Sequence, residues 1–592
     1  MSRKHFFPST DGVVVHALNS FIARNPHLEL DEPNRVVYSK VHSPSQVTII
    51  SGGGSGHEPA WSGYVGDGML SAAVNGDVFA SPSTKQIMAA IKNVPSDVGI
   101  ILCITNYTGD KLHFGLAREK GLALGYKISV VNMAEDAALG RKKSELVGRR
   151  GLAGNLLVLK LVGAASQLSW SFERCLQLGN LGNDQLVTIG TSLDHCHVPG
   201  RAHHEAVAED ACVVGMGIHN EPGLRTISPM PSAEDVLKEM FLCLLDPSDS
   251  DRAFVKFEPK DEVVMLVNNF GGLSGLELEA LTNLARVQLE RDWKISPCRI
   301  YAGIMETSLN APGFSITLGN ISGIARVMNV STAEIIDLLD QPTTAPAWPK
   351  NGYAPAKESE ETLSLRQKAG ANENTATALN KGSVVSESLI HSIREACTRA
   401  IKAEPDITKY DIQMGDGDCG EAVESVCKSI LSKLDTATAQ TPIFELLDHI
   451  GESVEDMGGS LGAILSILLT AFLNNLRAAS AGLSVALDTA AVGKAAELAL
   501  ENLKLYTSAR AGDRTVMDVL IPFCEVLGQT SDLDKAVAEA EKKAQATAGM
   551  KARFGRATYV GDEKAQNKDM PPDPGAYAAA VFLRGLLEGK GA

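Results

Sequence analysis

An α/β region followed by an all-α region is the fold class this sequence predicts, and three observations predict it. Up to about residue 340, short β-rich apolar runs alternate with helical stretches. From about Gln341 to Ser383 the composition turns to Pro, Ala, Thr, Asn and charge, and beyond that helical periodicity dominates with hardly a strand-like run. A chain of 592 residues also exceeds what one hydrophobic core usually supports, so at least two domains are expected.

The strand-like runs are, in order, "VTII", "GIILCIT", "KISVVNM", "QLVTIG", "ACVVGMGI" and "EVVMLVNN", with "STKQIMAAIKNV" among the helices between them. α/β layers with sheets covered by helices are expected over residues 1–340. Ligands of open α/β sheets sit beyond the carboxyl ends of the strands, so the glycine-rich turns there are where chemistry is sought. Residues 341–384 read as a linker. Residues 385–592 read as an all-α domain, from "VSESLIHSIREACTRAIKAE" to "LDKAVAEAEKKAQATAGM". The most apolar segment, "LGAILSILLTAFLNNL" (Leu461 to Leu476), is too short to span a bilayer, carries two asparagines and reads as a buried helix of a bundle.

The formal net charge of −16 argues against a general nucleic-acid or anionic-membrane binder, which needs a basic surface, and favours a small-molecule substrate. Ten scattered cysteines without a CxxC pair read as reduced thiols. The start "MSRKHFFPSTDG" lacks the apolar core of a signal peptide, so the cytoplasm is expected.

Four motifs of the first region could carry chemistry. "SGGGSGHEPA" (Ser51 to Ala60) is neither a Walker A sequence nor GxGxxG. Gly52, Gly53, Gly54 and Gly56 would let backbone N–H groups approach a ligand oxygen, and His57 titrates near neutral pH; a tight turn with a satisfied histidine is the alternative. In "NYTGD", Asp110 is either a helix cap or, paired with His57, a general base toward a hydroxyl nucleophile. In "GMGIHNEPG", His219 is either a loop histidine or an imidazole able to add to a carbonyl. "DHCHVPGRAHHE" gathers His195, Cys196, His197, His203 and His204, but HxH fits no standard structural-zinc spacing, and Pro199 and Gly200 suggest a turn.

In the helical region "DIQMGDGDCG" sets Asp411, Asp416 and Asp418 close together. Carboxylates so crowded repel unless a cation compensates, and hard oxygen ligands suit Mg²⁺ bridging nucleotide phosphates; a solvated acidic turn is the alternative. "MGGSLGA" (Met457 to Ala463) opens the most apolar helix with N–H groups suited to an anion, and "RAGDRT" (Arg510 to Thr515) supplies cations.

Taken together, "SGGGSGHEPAWSGYVG", "NYTGD", "VGRRGLAGN", "GMGIHNEPG", "NNFGGLSGLE", "MGDGDCG", "AGDRTVMD" and "DPGA" resemble the ATP-dependent dihydroxyacetone kinases, also called glycerone kinases or triokinases, in their single-chain eukaryotic form of fungal type. The resemblance spans nearly the whole chain. It implies a two-lobed α/β substrate domain, with lobes at about 1–190 and 191–340, and an all-α barrel of helices over 385–592 that binds ATP. It implies a covalent hemiaminal between His219 and the substrate carbonyl, with His57 and Asp110 as the acid/base pair and Gly53, Gly54, Ser55 and Gly56 lining the substrate. Asp411, Asp416 and Asp418 would hold two Mg²⁺ ions. Asp418, Cys419, Gly420, Gly459, Ser460, Leu461, Gly512, Arg514, Thr515, Asp573 and Gly575 would meet the nucleotide. A homodimer whose substrate and nucleotide domains meet across chains is implied, and family members can also split FAD into AMP and a cyclic riboflavin phosphate. A non-catalytic ketose sensor is the reading from another class, and the complete Asp triplet argues against it. Two positions depart from the family: Thr105 stands where a substrate-contacting lysine is common, and Leu461 where a second hydroxyl residue is usual. The first leaves open a different short-chain ketose.

Overall fold

The computed structural model describes residues 4–201, 206–349, 385–414, 417–437, 440–480, 489–553 and 570–590, and the chain divides into two compact units, residues 1–356 and 357–592. In the first unit, α1 (Val13–Arg24), β1 (Leu28–Asp31), β2 (Val36–Ser39), β3 (Thr48–Ser55), β4 (Ala72–Val78), α2 (Thr84–Asn93), β5 (Ile100–Thr105), α3 (Thr108–Ala123) and β6 (Ile128–Met133) build one lobe. Helices α4 (Arg141–Ser144), α5 (Asn155–Gln167) and α6 (Phe172–Asp184) lead to the second. That lobe holds β7 (Leu186–Ser192), β8 (Cys212–Val214), β9 (Arg225–Ile227), α7 (Ala233–Leu245), β10 (Val263–Asn269), α8 (Gly275–Gln288), β11 (Arg299–Gly303), β12 (Gly313–Asn320), α9 (Ile321–Met328) and α10 (Thr332–Asp340).

Each lobe carries a six-stranded sheet, ordered β1-β2-β4-β3-β5-β6 and β11-β10-β12-β7-β8-β9. Strand β3 runs parallel to both β4 and β5, and β5 parallel to β6, so the ends of β3 and β5 open on the same edge. The apolar runs are continuous rather than alternating because these strands are covered on both faces: every residue of β5, β7, β10 and β12 is buried. Helix α5, buried from Asn155 to Ser166, lies in the core shared by the two lobes. Its Lys160 is buried too, and Nζ donates to the carbonyls of Leu338 and Gln341 at 2.9 and 2.8 Å, capping the end of α10.

Two expectations from sequence change here. The run "ACVVGMGI" forms a strand only over Cys212–Val214, because Gly215 turns the backbone into the left-handed region (φ 83°). Residues 341–349 do not behave as linker: the Trp348 ring packs against Tyr301 with centroids 4.9 Å apart, Thr343 Oγ1 donates to the Asp67 carbonyl at 2.6 Å, and Ala347 N–H donates to Gly63 at 2.9 Å. A few apolar side chains among prolines and threonines are enough to bury this stretch, which a compositional reading averages away. Residues 350–384 lie outside the described residues.

The second unit is helical among its described residues: α11 (Glu387–Lys402), α12 (Glu404–Met414), α13 (Cys419–Thr436), α14 (Ile443–Glu455), α15 (Gly459–Ser480), α16 (Thr489–Leu503), α17 (Met517–Thr530), α18 (Leu533–Ala546) and α19 (Pro574–Lys590). Helix α15 corrects the reading of the apolar run. It extends to 22 residues, adding Gly459 and Ser460 before the run and residues 477–480 after it, and is long and apolar enough to cross a membrane by length and composition; within it Asn475 donates back to Ala471 O at 2.8 Å. Most of its residues are half-buried rather than buried; Ile464, Leu465, Leu468 and Phe472 pack on Leu500, Leu503, Met517 and Leu520.

Candidate active site

Three sequence-selected groups of the α/β unit stand just beyond strand ends: His57 after β3, Asp110 in the first turn of α3 after β5, and His219 after β8. Two histidines meet. His57 Nε2 lies 3.0 Å from His219 Nε2, with the rings at 89° and centroids 4.8 Å apart. Phe79 stacks on His57, and Phe79 and Tyr107 both stand edge-on to His219. His57 is 3 % exposed, whereas the His219 side chain is 25 % exposed, so His219 is the ring that faces an incoming molecule.

The other ring nitrogens are tied down. His57 Nδ1 lies 2.6 Å from the carbonyl of Thr307, and since a carbonyl only accepts, Nδ1 carries the proton. Burial first, then the neighbouring His219 charge, push His57 down to about 3. His219 Nδ1 lies 3.2 Å from Glu221 Oε1, while Glu221 Oε2 accepts the His219 backbone N–H at 2.8 Å. Burial would raise the Glu221 carboxyl, but the hydrogen bond and charge of His219 and the charge of Arg150 overcome it and hold it at about 2. Asp110 is buried, and that burial raises it to about 6 against the opposing pull of a Ser81 hydrogen bond and the charges of His219 and His113. The sequence reading paired His57 with Asp110; in the structure the partner of His57 Nε2 is His219, and Asp110 acts on that ring through its charge.

The glycine loop holds this arrangement by close packing. A Cβ on Gly53 would lie 2.8 Å from Trp61 Nε1 and one on Gly54 2.8 Å from Ala80 N, so the bare faces of both glycines are filled by the protein itself. Gly56 N–H donates to the Glu58 carboxylate at 3.0 Å and Ser55 Oγ to Gly76 O at 2.8 Å. Thr105 ends β5 buried, its Oγ1 without a hydrogen-bond partner. Asn106 gathers the next loop, donating to Val147 O at 3.0 Å and to Arg149 O at 2.5 Å. That loop delivers Arg150, whose Nε donates to buried Asp136 at 2.7 Å and whose Nη2 donates to Gly215 O at 2.8 Å. A Cβ on Gly217 would collide with both Glu221 Oε2 and Arg150 Nη1, which places the guanidinium beside the Glu221 carboxylate.

Sequence reasoning missed Thr307, Glu221, Phe79 and Arg150. Glu221 and Arg150 lie inside quoted motifs, but Thr307 meets His57 across 250 positions, and no local pattern announces such a contact. The histidine-rich segment has a supporting role: Asn220 Oδ1 accepts Cys196 N–H at 2.9 Å and Asn220 Nδ2 donates back to Cys196 O at 3.2 Å, fixing the residue next to His219. His203 and His204 lie outside the described residues, and among the described residues no three His, Cys, Asp or Glu are placed to hold a metal ion.

In the helical unit the selected residues converge at helix ends. Asp411, buried on α12, accepts Cys419 N–H at 3.1 Å, and the charges of Asp411, Asp573 and Asp418 all act on the Cys419 thiol, which burial drives to about 12. Asp573 caps α19 through Ala576 N–H at 2.9 Å. Burial raises Asp573 to about 6, opposed by that bond and by Arg514, reinforced by Asp518 and Asp411. Leu461 and Asp573 come together over Gly575, whose Cβ would lie 3.4 Å from each, so the starts of α15, with Gly459 and Ser460, and α19 are neighbours. Arg514 is buried, donating to Thr547 O and Pro571 O at 3.2 and 2.8 Å, while its Nη1 has no partner. Thr515 N–H donates to Asp518 at 2.8 Å, closing the turn that contains Gly512. Gly420 is buried in the first turn of α13. Asp416 lies outside the described residues. Asp411 and Asp418, on either side of Asp416 in sequence, could hold a cation, and the orphaned Arg514 guanidinium N–H suits an anion.

Comparison with known proteins agrees with both halves. The Dak1 domain model matches residues 19–347 and the DAK2 domain model residues 413–588. Dihydroxyacetone kinase 1 of Saccharomyces cerevisiae is 40% identical over 595 residues, covering 99% of each chain, and the Homo sapiens triokinase/FMN cyclase is 33% identical over 613 residues, again covering 99% of each. Among solved structures, the dihydroxyacetone kinase from C. freundii in complex with AMP-PNP and Mg²⁺ superposes with a TM-score of 0.59 at 27% identity, covering 99% of this chain and 100% of that one. With relatives of this similarity along its full length, the chain belongs to the dihydroxyacetone kinase family.

Proposed function

We propose that this chain transfers the γ-phosphoryl group of ATP to a terminal hydroxyl of dihydroxyacetone, giving dihydroxyacetone phosphate and ADP, with the ketone held as a hemiaminal on His219. The observation that carries the reading is the partly exposed His219 imidazole with Nδ1 on Glu221 and Nε2 on His57. Such a ring has Nδ1 anchored on Glu221, and its Nε2, once released from the contact with His57, can add to a carbonyl, which selects ketoses and aldoses over glycerol. Asp110 takes the proton of the attacking hydroxyl, and the loop of Gly53, Gly54, Ser55 and Gly56 with Thr105 bounds the substrate. Positioning accounts for most of the acceleration in phosphoryl transfer.

In the helical unit, Asp411 and Asp418, with Asp416, are the residues that would hold two Mg²⁺ ions, and Cys419, Gly420, Gly459, Ser460, Leu461, Gly512, Arg514, Thr515, Asp573 and Gly575 would meet the nucleotide. Bound Mg²⁺ supplies neutralisation of phosphate charge. A homodimer in the cytoplasm is part of this reading; none of the ten cysteines forms a disulfide. The unpartnered Thr105 hydroxyl supports a second reading, a preference for a ketose that can reach it.

The test is a coupled assay of MgATP-dependent phosphorylation across dihydroxyacetone, D-glyceraldehyde, erythrulose and glycerol, with FAD alone as a separate arm for cyclase activity. Turnover of the carbonyl compounds and none of glycerol is expected; equal turnover of glycerol, or no ATP-dependent transfer, overturns the proposal. The pH dependence follows from Asp110. A base must be ionised to accept a proton, so kcat/KM rises tenfold per pH unit below about 6 and levels off above it. Asp110→Asn removes that rise and lowers the plateau by about 10²-fold or more; an unchanged acid limb in the variant assigns the titration elsewhere.

A further inference from the structure

The hydrogen-bond geometry of the two histidines and Glu221 calls for one more proton than two neutral imidazoles carry. The Thr307 carbonyl at 2.6 Å requires a proton on His57 Nδ1. The Glu221 carboxylate, 3.2 Å from His219 Nδ1 and 2.8 Å from the His219 backbone nitrogen, only accepts, and so requires a proton on His219 Nδ1. Both Nε2 atoms are then left facing each other at 3.0 Å. Two lone pairs at that distance repel, and a hydrogen bond there needs a third proton. Three protons on two rings make one positive charge, and Glu221 is the negative charge in contact with it.

The surrounding charges leave this assignment to Glu221. Arg150 approaches the carboxylate from the 148–155 loop but is paired with Asp136. From α3 and the residue before it come Tyr107, edge-on to the His219 ring and pushed up by burial, Asp110, buried and raised, and His113, which lies against Thr84 at 3.2 Å. From the glycine loop comes Glu58, engaged with Gly56 N–H. The suppressed basicity of buried His57 keeps the extra proton on the His219 side of the contact until a substrate arrives.

We infer that Glu221 is a positioning residue that stores a single proton between His57 and His219, and that this proton is handed to the substrate oxygen as His219 adds to the carbonyl. The step balances without solvent. The proton passes from His219 Nε2 to His57 Nε2; the freed His219 lone pair forms the C–N bond; the carbonyl π pair moves to oxygen; and oxygen takes the proton from His57. The positive charge then resides on the substituted His219 ring, still facing Glu221, and His57 is left neutral with a free Nε2 lone pair. This rests on the covalent reading of His219 given above.

The test uses the full chain labelled with ¹⁵N-histidine. NMR counts ring N–H protons on His57 and His219 without substrate, and intact-mass measurement after incubation with dihydroxyacetone and no ATP gives the adduct fraction from pH 6 to 9. Wild type is expected to show three ring protons near pH 7 and an adduct fraction that is flat with pH. Glu221→Gln is expected to show two, with an adduct affinity at least tenfold lower that falls further as pH rises, because the added proton must now come from solvent. Glu221→Asp, which keeps the charge, restores the third proton. Two ring protons in wild type, or three in Glu221→Gln, overturn the stored proton. Wild-type adduct formation in Glu221→Gln overturns its delivery. Three ring protons in wild type with no adduct at any pH overturn both delivery and the covalent reading, a result distinct from failure of the Glu221 account.

Discussion

His219→Ala is expected to lose the mass-shifted ketone adduct and to lower kcat/KM for dihydroxyacetone by about 10³-fold or more, with little change in stability. The ring is partly exposed, and apart from its edge contacts with Phe79 and Tyr107 its partners are groups that water can replace: Glu221 at the surface side and a single nitrogen of His57. Removing it therefore deletes the proposed nucleophile rather than a piece of core. The decisive measurement pairs adduct trapping with steady-state kinetics in the same preparation. A variant that still traps the adduct, or keeps turnover within tenfold, moves the covalent role to another group. His57→Ala serves as contrast, since that fully enclosed ring stacks on Phe79 and bonds Thr307, and its loss should lower stability as well as rate.

The second large effect is expected at Arg150. Arg150→Met leaves the fully buried Asp136 carboxylate without its ion-pair partner, held by Ala138 N–H at 2.8 Å, and breaking a buried pair from one side costs about 3–5 kcal/mol. Gly215, where β8 ends, also loses the donor to its carbonyl, so the loop that carries His219 and Glu221 loosens. Urea unfolding of the α/β unit should shift to a markedly lower midpoint in Arg150→Met. The double variant with Asp136→Leu should recover much of the shift, because no buried charge is then stranded. A midpoint shift worth under about 1 kcal/mol in the single variant contradicts the assignment.

The layers of this protein were legible because continuous apolar runs and helical periodicity are local properties. "GIILCIT" and "EVVMLVNN" announce doubly covered strands, and the second unit announces itself by lacking such runs. The strand ends and their histidines were legible for the same reason, since a glycine turn after an apolar run is visible in ten residues. What stayed hidden depends on distant neighbours. Nothing near His57 indicates that its ring will meet the Thr307 carbonyl and His219, and this is why Asp110, also at a strand end, was paired with it instead. Glu221 was in view but had no assigned chemistry until its carboxylate was seen against both the side chain and the backbone of His219. The Trp348 segment misled for the opposite reason, because its composition is that of linkers while its few apolar residues find a cleft. Helix α15 outran its apolar run because its first and last residues, Gly459, Ser460 and 477–480, are helical without being strongly apolar.

One arrangement described above reaches beyond catalysis. The glycine loop of the first lobe and the segment around Thr307 of the second are laced together by Thr307 N–H to His57 O at 3.1 Å, Leu309 N–H to Gly56 O at 2.9 Å and Thr307 Oγ1 to Glu58 O at 2.8 Å. The same few residues thus align the two lobes and set the ring that faces His219. A slip of the lobes too small to expose either core would still pull His57 out of register, so on gentle heating the enzyme should fall silent while its helices and sheets remain intact, and cooling should bring it back.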